Sequence, residues 1–398
     1  MKRSRSARIA GAAATAAAAL ALSSCASTAP GSPAASASPT AETTGRVAIT
    51  YKSGIAVLDG KTLKVVETFP TEDFTRVNGV GDGRNVLVTT SKGFQVLDTV
   101  KPALTDSVFN ATAPGHVVRH ANNTVLFDDG TGTTTIFGTD ALLNSGGKLP
   151  TAETYTAAAP HHGVSIRLSD GTLLTTVGDK AGRTGAAALR RSGETWEKVS
   201  ENNQCKGIHG EGAAADEAVI FGCEDGALLY HHGKFEKFTA PDAYGRMGNA
   251  YVSEASPVIV GDYKNNPDAE GYLLNAVTLI DTAKRTYRVV NLPNEVRYTW
   301  RDIARATNGL AYILSTDGSI HVLDPASGEI VKKYPVIAPW EGPGHWQDPH
   351  PAITVNGTTG YITEPATSTV CAIDLTSGAE LGSVKLSAPP NEITVAQG

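Results

Sequence analysis

The sequence predicts an all-β fold, a β-propeller with eight blades favoured over seven, and three observations point to it. First, short Val/Ile/Thr/Tyr-rich runs follow one another from Arg46 onward. They are separated by pairs such as Asp82-Gly83, Asp129-Gly130, Asp170-Gly171, Asp225-Gly226, Asn308-Gly309, Asp317-Gly318 and Asn356-Gly357. Glycine supplies the positive φ that tight hairpin turns require, and no amphipathic pattern of helical length survives these interruptions. Second, an Asp closes one apolar strand after another, at Asp59, Asp98, Asp281, Asp324 and Asp374. A strand ending in an Asx turn that leads outward suits the third hairpin of a propeller blade. Spacings of 39, 43 and 50 residues between these positions suit a four-stranded unit of roughly 40–45 residues with loop insertions. Third, units open near Thr75, Gly115, His161, Gly207, Gly248, Thr299 and Gln347, whereas residues 46–70 carry outer strands with no inner one. The C-terminal NEITVAQG can supply it, so that the N- and C-terminal strands pair and close the ring at eight. Seven blades follow if one segment is an insertion, and a pair of β-sandwiches is the weaker alternative.

The propeller accounts for residues 46–398 as a single domain, and the residues before it read as an address. Lys2, Arg3, Arg5 and Arg8 precede an apolar run from Ile9 to Leu22, too short for the roughly 20 residues of a membrane-spanning helix. Residues 1–24 therefore read as a signal peptide. Leu22-Ser23-Ser24-Cys25 resembles a bacterial lipobox, which makes Cys25 the lipidated N-terminus of the mature chain. Residues 25–45 continue as an Ala/Ser/Pro/Thr stretch that cannot bury a core, a flexible tether. The expected location is extracytoplasmic, on the outer face of the cell membrane, with the lipid as the sole membrane contact.

Of the 398 residues, 41% are hydrophobic, enough for a core, and 34 Lys and Arg stand against 40 Asp and Glu for a net charge of −6. Without a basic excess, nucleic acid is not an expected partner. There is no G-x-S-x-G nucleophile elbow and no CxxCH haem attachment, and a monomer is expected. In an oxidising compartment, Cys205 and Cys223, 18 residues apart on neighbouring hairpin strands, are expected to form a disulfide. A zinc–thiolate pair is the alternative. Cys371, in the apolar TSTVCAID, reads as a buried thiol.

The ten histidines carry the functional information. His116 lies 9 residues before Val125, His162 lies 11 before Leu173, His209 lies 10 before Val219 and His350 lies 11 before Tyr361. Four units therefore place His where the innermost strand begins, around one mouth of the central channel. Imidazoles converging there from separate blades make a metal site. Glu211, two residues from His209, shares its face in a strand, and His120 shares strand parity with His116. Asp302 and Asp348 are nearby carboxylates of the same kind. His161 adjoins His162 and faces the other way if extended, so one of the two is the ligand. His116, His162, His209, Glu211, His161, His120 and His350 are thus the candidate ligands. Imidazole with carboxylate suits Zn2+, and ligand type alone leaves copper and nickel open. His231-His232, in LLYHHGKF, read as a solvated hairpin pair or a weaker surface metal site. His321 reads as packed, and His345 as a lid or surface residue.

At these residues the chain resembles the AztD-type zinc metallochaperones, extracytoplasmic partners of zinc ABC importers. The motifs are GHVVRH at 115–120, FDDGTG at 127–132, HHGVSIRL at 161–168, Cys205, HGE at 209–211, FGCEDG at 221–226 and PPNEITV at 389–395. The resemblance covers nearly the whole domain. It implies a propeller that binds zinc and passes it to the solute-binding protein of the importer, and that is not an enzyme. Some members carry a His/Asp-rich stretch near the N-terminus, which residues 26–45 lack. Two other readings of the same residues stand beside it. One is a secreted, lactonase-like metal-dependent hydrolase with Glu211 as general base. The other is a metal-free interaction scaffold.

Overall fold

The computed structural model of the protein describes residues 45–268 and 273–397. The signal peptide, Cys25 and all of the tether except Gly45 lie outside the described residues. Among the described residues no helix is long and apolar enough to cross a membrane.

Alternating β-branched strands and glycine turns fold into eight sheets, each built on four antiparallel strands and one with a short fifth strand added, the blades of a closed propeller. In seven blades the strands follow chain order outward from the channel. Blade 2 consists of Pro114–His120, Asn123–Asp128, Thr133–Gly138 and Glu153–Thr156. Blade 3 has Ser165–Arg167 as its inner strand and Leu173–Asp179 next to it. Blade 4 consists of His209–Ala213, Val219–Cys223, Asp225–His231 and Lys234–Thr239, and the two-residue Gly245–Arg246 pairs in parallel with the start of its third strand at Asp225. In blade 8 the C-terminal Pro390–Val395 is innermost, followed by Val47–Tyr51, Gly54–Leu58 and Val65–Pro70. The expected eight blades and terminal closure are both present. The chain buries apolar residues between neighbouring blades rather than in one central core. Tyr312, Ile320 and Val322 of the sixth blade pack against Ile353, Ile362 and Ile373 of the seventh, and Ala48, Ile55 and Val57 of blade 8 against Val77, Val86 and Val88 of blade 1.

The strand-terminal aspartates do the work their spacing implies. Asp98 Oδ1 accepts the backbone N–H of Val100 and of Lys101, both at 3.0 Å. Asp324 accepts from Ala326 at 2.9 Å and Asp374 from Thr376 at 2.8 Å. Each carboxylate replaces a ladder partner at the turn between third and fourth strands.

The inner strands all run the same way, so the channel has two distinct mouths. At the entry mouth, where inner strands begin, Arg76 pairs with Glu392, and Arg301 reaches Asn391 and Glu392. At the exit mouth, where they end, Gly79 donates to Thr394 Oγ1 and Gly83 to the Gln397 carbonyl.

Candidate metal centre

Three imidazoles from consecutive blades meet at the entry mouth. His116 comes from the inner strand of blade 2, His162 from the loop entering blade 3, and His209 from the first residue of the inner strand of blade 4. One ring nitrogen from each lies within 4.8 Å of the others, and the ring centroids are 5.0–5.2 Å apart. They line a cavity of about 590 Å³ together with Glu211, Arg76, Asn78, Asn249, Tyr251, Trp300 and Trp346.

Local irregularity in the strands aims these side chains. Pairing slips between Pro114 and Val117 in blade 2 and between His209 and Glu211 in blade 4. Bulges of this kind turn a side chain out of the regular pleat. Gly210 makes the second one (φ +58°), and a methyl group there would lie 2.3 Å from the Gly248 oxygen. That same oxygen accepts the Nδ1–H of His209 at 2.6 Å. Asp262 in turn holds the loop by accepting from the N–H groups of Gly248 and Asn249, at 2.5 and 3.0 Å. Gly115 performs the matching service in blade 2, since a Cβ there would meet Asp129 Oδ1 at 2.4 Å.

The hydrogen bonds settle which nitrogens face the cavity. His209 uses Nδ1 on Gly248, and His162 donates its Nδ1–H to Asp129 Oδ2 at 2.5 Å. Both Nε2 atoms are then left as lone pairs, yet they stand 3.0 Å apart. Two lone pairs at that distance require a cation between them, either a proton or a metal ion. Tetrahedral zinc with Zn–N bonds of ~2.0–2.1 Å holds ligand nitrogens about 3.3 Å apart, close to the spacing of this pair, and the His116 nitrogen lies within 4.8 Å of both. Burial and the neighbouring His209 and His162 hold the pKa of His116 well below 6.5, and burial takes His209 down to about 3. Both are therefore neutral, as ligands must be. Glu211 Oε2 is 3.9 Å from His116 Nδ1, and burial pushes its carboxyl up to about 7. A cation at the three imidazoles would draw that proton off and gain a carboxylate ligand.

The structure thus brings together His116, His162, His209 and Glu211. It places the other candidates elsewhere. His120 keeps the strand parity of His116, but four residues of strand carry it about 13 Å down the channel. There its two ring nitrogens face Glu254 and Glu217 at 2.9 and 2.8 Å. Parity specifies a face of a strand, not an end. His161 is buried against Phe127, donates to the Ala159 carbonyl and accepts from Thr176 Oγ1. His350 donates to the Asp348 carbonyl at 2.7 Å, and burial lowers it to about 4. It is buried, with Nδ1 committed to that carbonyl, and does not line the cavity. Asp302 is also sealed away and is pushed up to about 8 by burial. Asp348 accepts from the His345 N–H. His321 packs against Asp317, as its place in a strand implies. Cys205 and Cys223 are disulfide-bonded and Cys371 is a buried free thiol.

Sequence reasoning missed Asp129, which fixes His162. A signal was available in FDDG: Asp128 is consumed by the turn, accepting from Thr112, Ala113 and Gly130, which leaves the second Asp free for another task. Trp300, flanked by the guanidinium groups of Arg76 and Arg301 at 5.0 and 4.9 Å from its ring centroid, and Trp346 carried no such signal.

Fold and site together define an eight-bladed propeller with a three-histidine centre at one channel mouth. No family model matches the chain. It is 26% identical over 315 residues to the zinc chaperone AztD of Citrobacter koseri, across 76% of this chain and 70% of that protein. The solved structure of apo AztD from the same organism superposes with a TM-score of 0.73 at 21% identity, covering 88% of this chain and 96% of the other. A second crystal structure of Citrobacter koseri AztD gives a TM-score of 0.72. The dihydro-heme d1 dehydrogenase NirN gives 0.60 at 11% identity, covering 89% of this chain and 76% of that one, a likeness of fold alone. The AztD-type resemblance carried by the motifs is therefore matched by similarity along most of the chain.

Proposed function

We propose that this protein is an extracytoplasmic zinc metallochaperone, holding Zn2+ at His116, His162 and His209 with Glu211 beside them. On this reading it passes the ion to the solute-binding protein of a metal ABC importer. The observation that carries the reading is the convergence of three ring nitrogens within 4.8 Å of one another, two of them Nε2 atoms 3.0 Å apart and oriented from behind by Asp129 and Gly248. The similarity to a zinc chaperone supports zinc as the ion, and the disulfide supports an oxidising compartment. In the same proposal residues 1–24 are a lipoprotein signal, Cys25 is the anchor, and residues 46–398 are the working domain.

Zinc is cargo here. Imidazole and carboxylate ligands can be exchanged one at a time, and His162, the most exposed of the three, is the first that an incoming ligand can replace. The test is competition of the purified protein against a chromophoric chelator. One tight zinc equivalent is expected, weakened at least 100-fold by His116→Ala, His162→Ala and His209→Ala together. Transfer from loaded protein to an apo solute-binding protein should run faster than release into chelator. Equal rates would remove the transfer step, and no zinc binding would remove the reading altogether.

A second reading rests on Glu211. A buried carboxyl with a pKa near 7 beside a 590 Å³ cavity is also what a metal-assisted hydrolase uses as its base. Turnover of lactone or ester substrates by the zinc-loaded protein, abolished by Glu211→Gln with zinc still bound, would select it.

A further inference from the structure

A second histidine cluster lies on the exit face of blade 4. Asp216 sits in the turn after the inner strand, and His231 and His232 sit where Asp225–His231 hands over to Lys234–Thr239. His209, Gly222 and Ala227 stand abreast at the other end of the same sheet. Four residues separate Ala227 from His231, about 13 Å of strand. One ion cannot serve both ends.

Neighbouring residues of an extended strand point to opposite faces, and by that rule His231 and His232 would diverge. They do not, because His232 is left-handed at φ +49°. The backbone there swings its ring alongside that of His231, with centroids 3.8 Å apart. Asp216, facing them, is also left-handed at φ +60°. Asp and His tolerate this conformation better than most residues, but two facing instances place three side chains on one point. The Nε2 atoms of His231 and His232 lie 3.0 and 3.2 Å from the same oxygen, Asp216 Oδ2. One ligand atom from each of the three lies within 4.8 Å of the others.

We propose that Asp216, His231 and His232 form a second divalent-cation site, specific for borderline ions of the zinc type. Two imidazoles and one carboxylate match that ion class. Asp216 and His232 have side chains 71% and 70% exposed, so three protein ligands would leave coordination positions open to water and to exchange. The site binds more weakly than the entry mouth for an identifiable reason. Arg285 donates to His231 Nδ1 at 2.9 Å while its other nitrogen pairs with Glu236. The proton of His231 therefore sits on Nε2, toward Asp216. Before Nε2 can take a metal, that proton must move to Nδ1 and the guanidinium must withdraw.

The test is a titration with zinc chloride alone. Full-length protein carrying His116→Ala, His162→Ala and His209→Ala is expected to keep one zinc equivalent, held at least tenfold more weakly than the mouth site. Adding His231→Ala and His232→Ala should abolish it. In the protein with its mouth intact, the His231→Ala/His232→Ala pair should lower the zinc stoichiometry from two to one. Asp216→Asn, at an exposed position, should weaken the second equivalent at least tenfold with the circular dichroism unchanged. No residual zinc in the triple variant, or residual zinc indifferent to His231 and His232, overturns the proposal. The mouth reading fails separately: in that case the unsubstituted protein binds one equivalent, and removing His231 and His232 takes it to none.

Discussion

Asp129 holds His162 in the tautomer that turns Nε2 into the cavity, and it also accepts from the Gly163 N–H at 3.2 Å. A carboxylate behind a ligating imidazole both orients the ring and raises its basicity. Asp129→Asn keeps the size and one acceptor but loses the charge, and is expected to weaken zinc about 10–100-fold with thermal stability unchanged. Equal affinity in the chelator assay would mean that His162 is aimed by the backbone alone. At this scale the sequence was legible for His116, His162 and His209, because four repeats put His at the same register position and three of those four meet, whereas His350 is buried apart from them. It was not legible for His120 and His161. Register and parity locate a side chain along and across a strand, and neither says which hydrogen-bond partner has already claimed its ring.

The entry loop and first hairpin of blade 4 form the most heavily fastened element of the site. Cys205 lies just before the inner strand and Cys223 ends the next one. Between them Gly222 pairs with His209 in the ladder. Cys205 N–H also donates to the Thr184 carbonyl of the neighbouring blade 3, so the loop that the bridge fastens is held to both of the blades that deliver His162 and His209. Replacing both cysteines by serine should cost about 2–5 kcal/mol, read as a lower thermal midpoint. Zinc affinity should fall as well, because the start of the strand carrying His209 would loosen. A lower midpoint with unchanged affinity would confine the bridge to stability. The disulfide and the turns were legible in the sequence, since Cys spacing and Asp-Gly pairs are local signals. The bulges at Gly115 and Gly210 were not. Each is required by a group distant in sequence, Asp129 or Gly248, that presses against the glycine.

For the molecule as a whole, the ring was legible down to its closure, because residues 46–70 offered three strands where a blade needs four. Pro390–Val395 completes it. Without that strand Val47–Tyr51 would face the channel with an unpaired edge, and the buried surfaces of the blades on either side would open. A chain ending at Ser387 should therefore lose its cooperative thermal transition and, with it, zinc binding nearly half a ring away. A truncated chain that still melted cooperatively would show that closure is dispensable. The aromatic and cationic wall of the entry mouth was illegible, because Arg76, Trp300 and Trp346 belong to different blades and share no repeat position.

Closure by mixed termini also settles how the molecule can be held. Val47 pairs with Val395 and Tyr51 with Pro390, so the chain enters its first strand at the exit face, away from the three converging imidazoles. The first described residues, Gly45 and Arg46, therefore lie at the end of blade 8 opposite the histidine mouth. A label coupled to Gly45 would report on the face of the ring that the three imidazoles do not use.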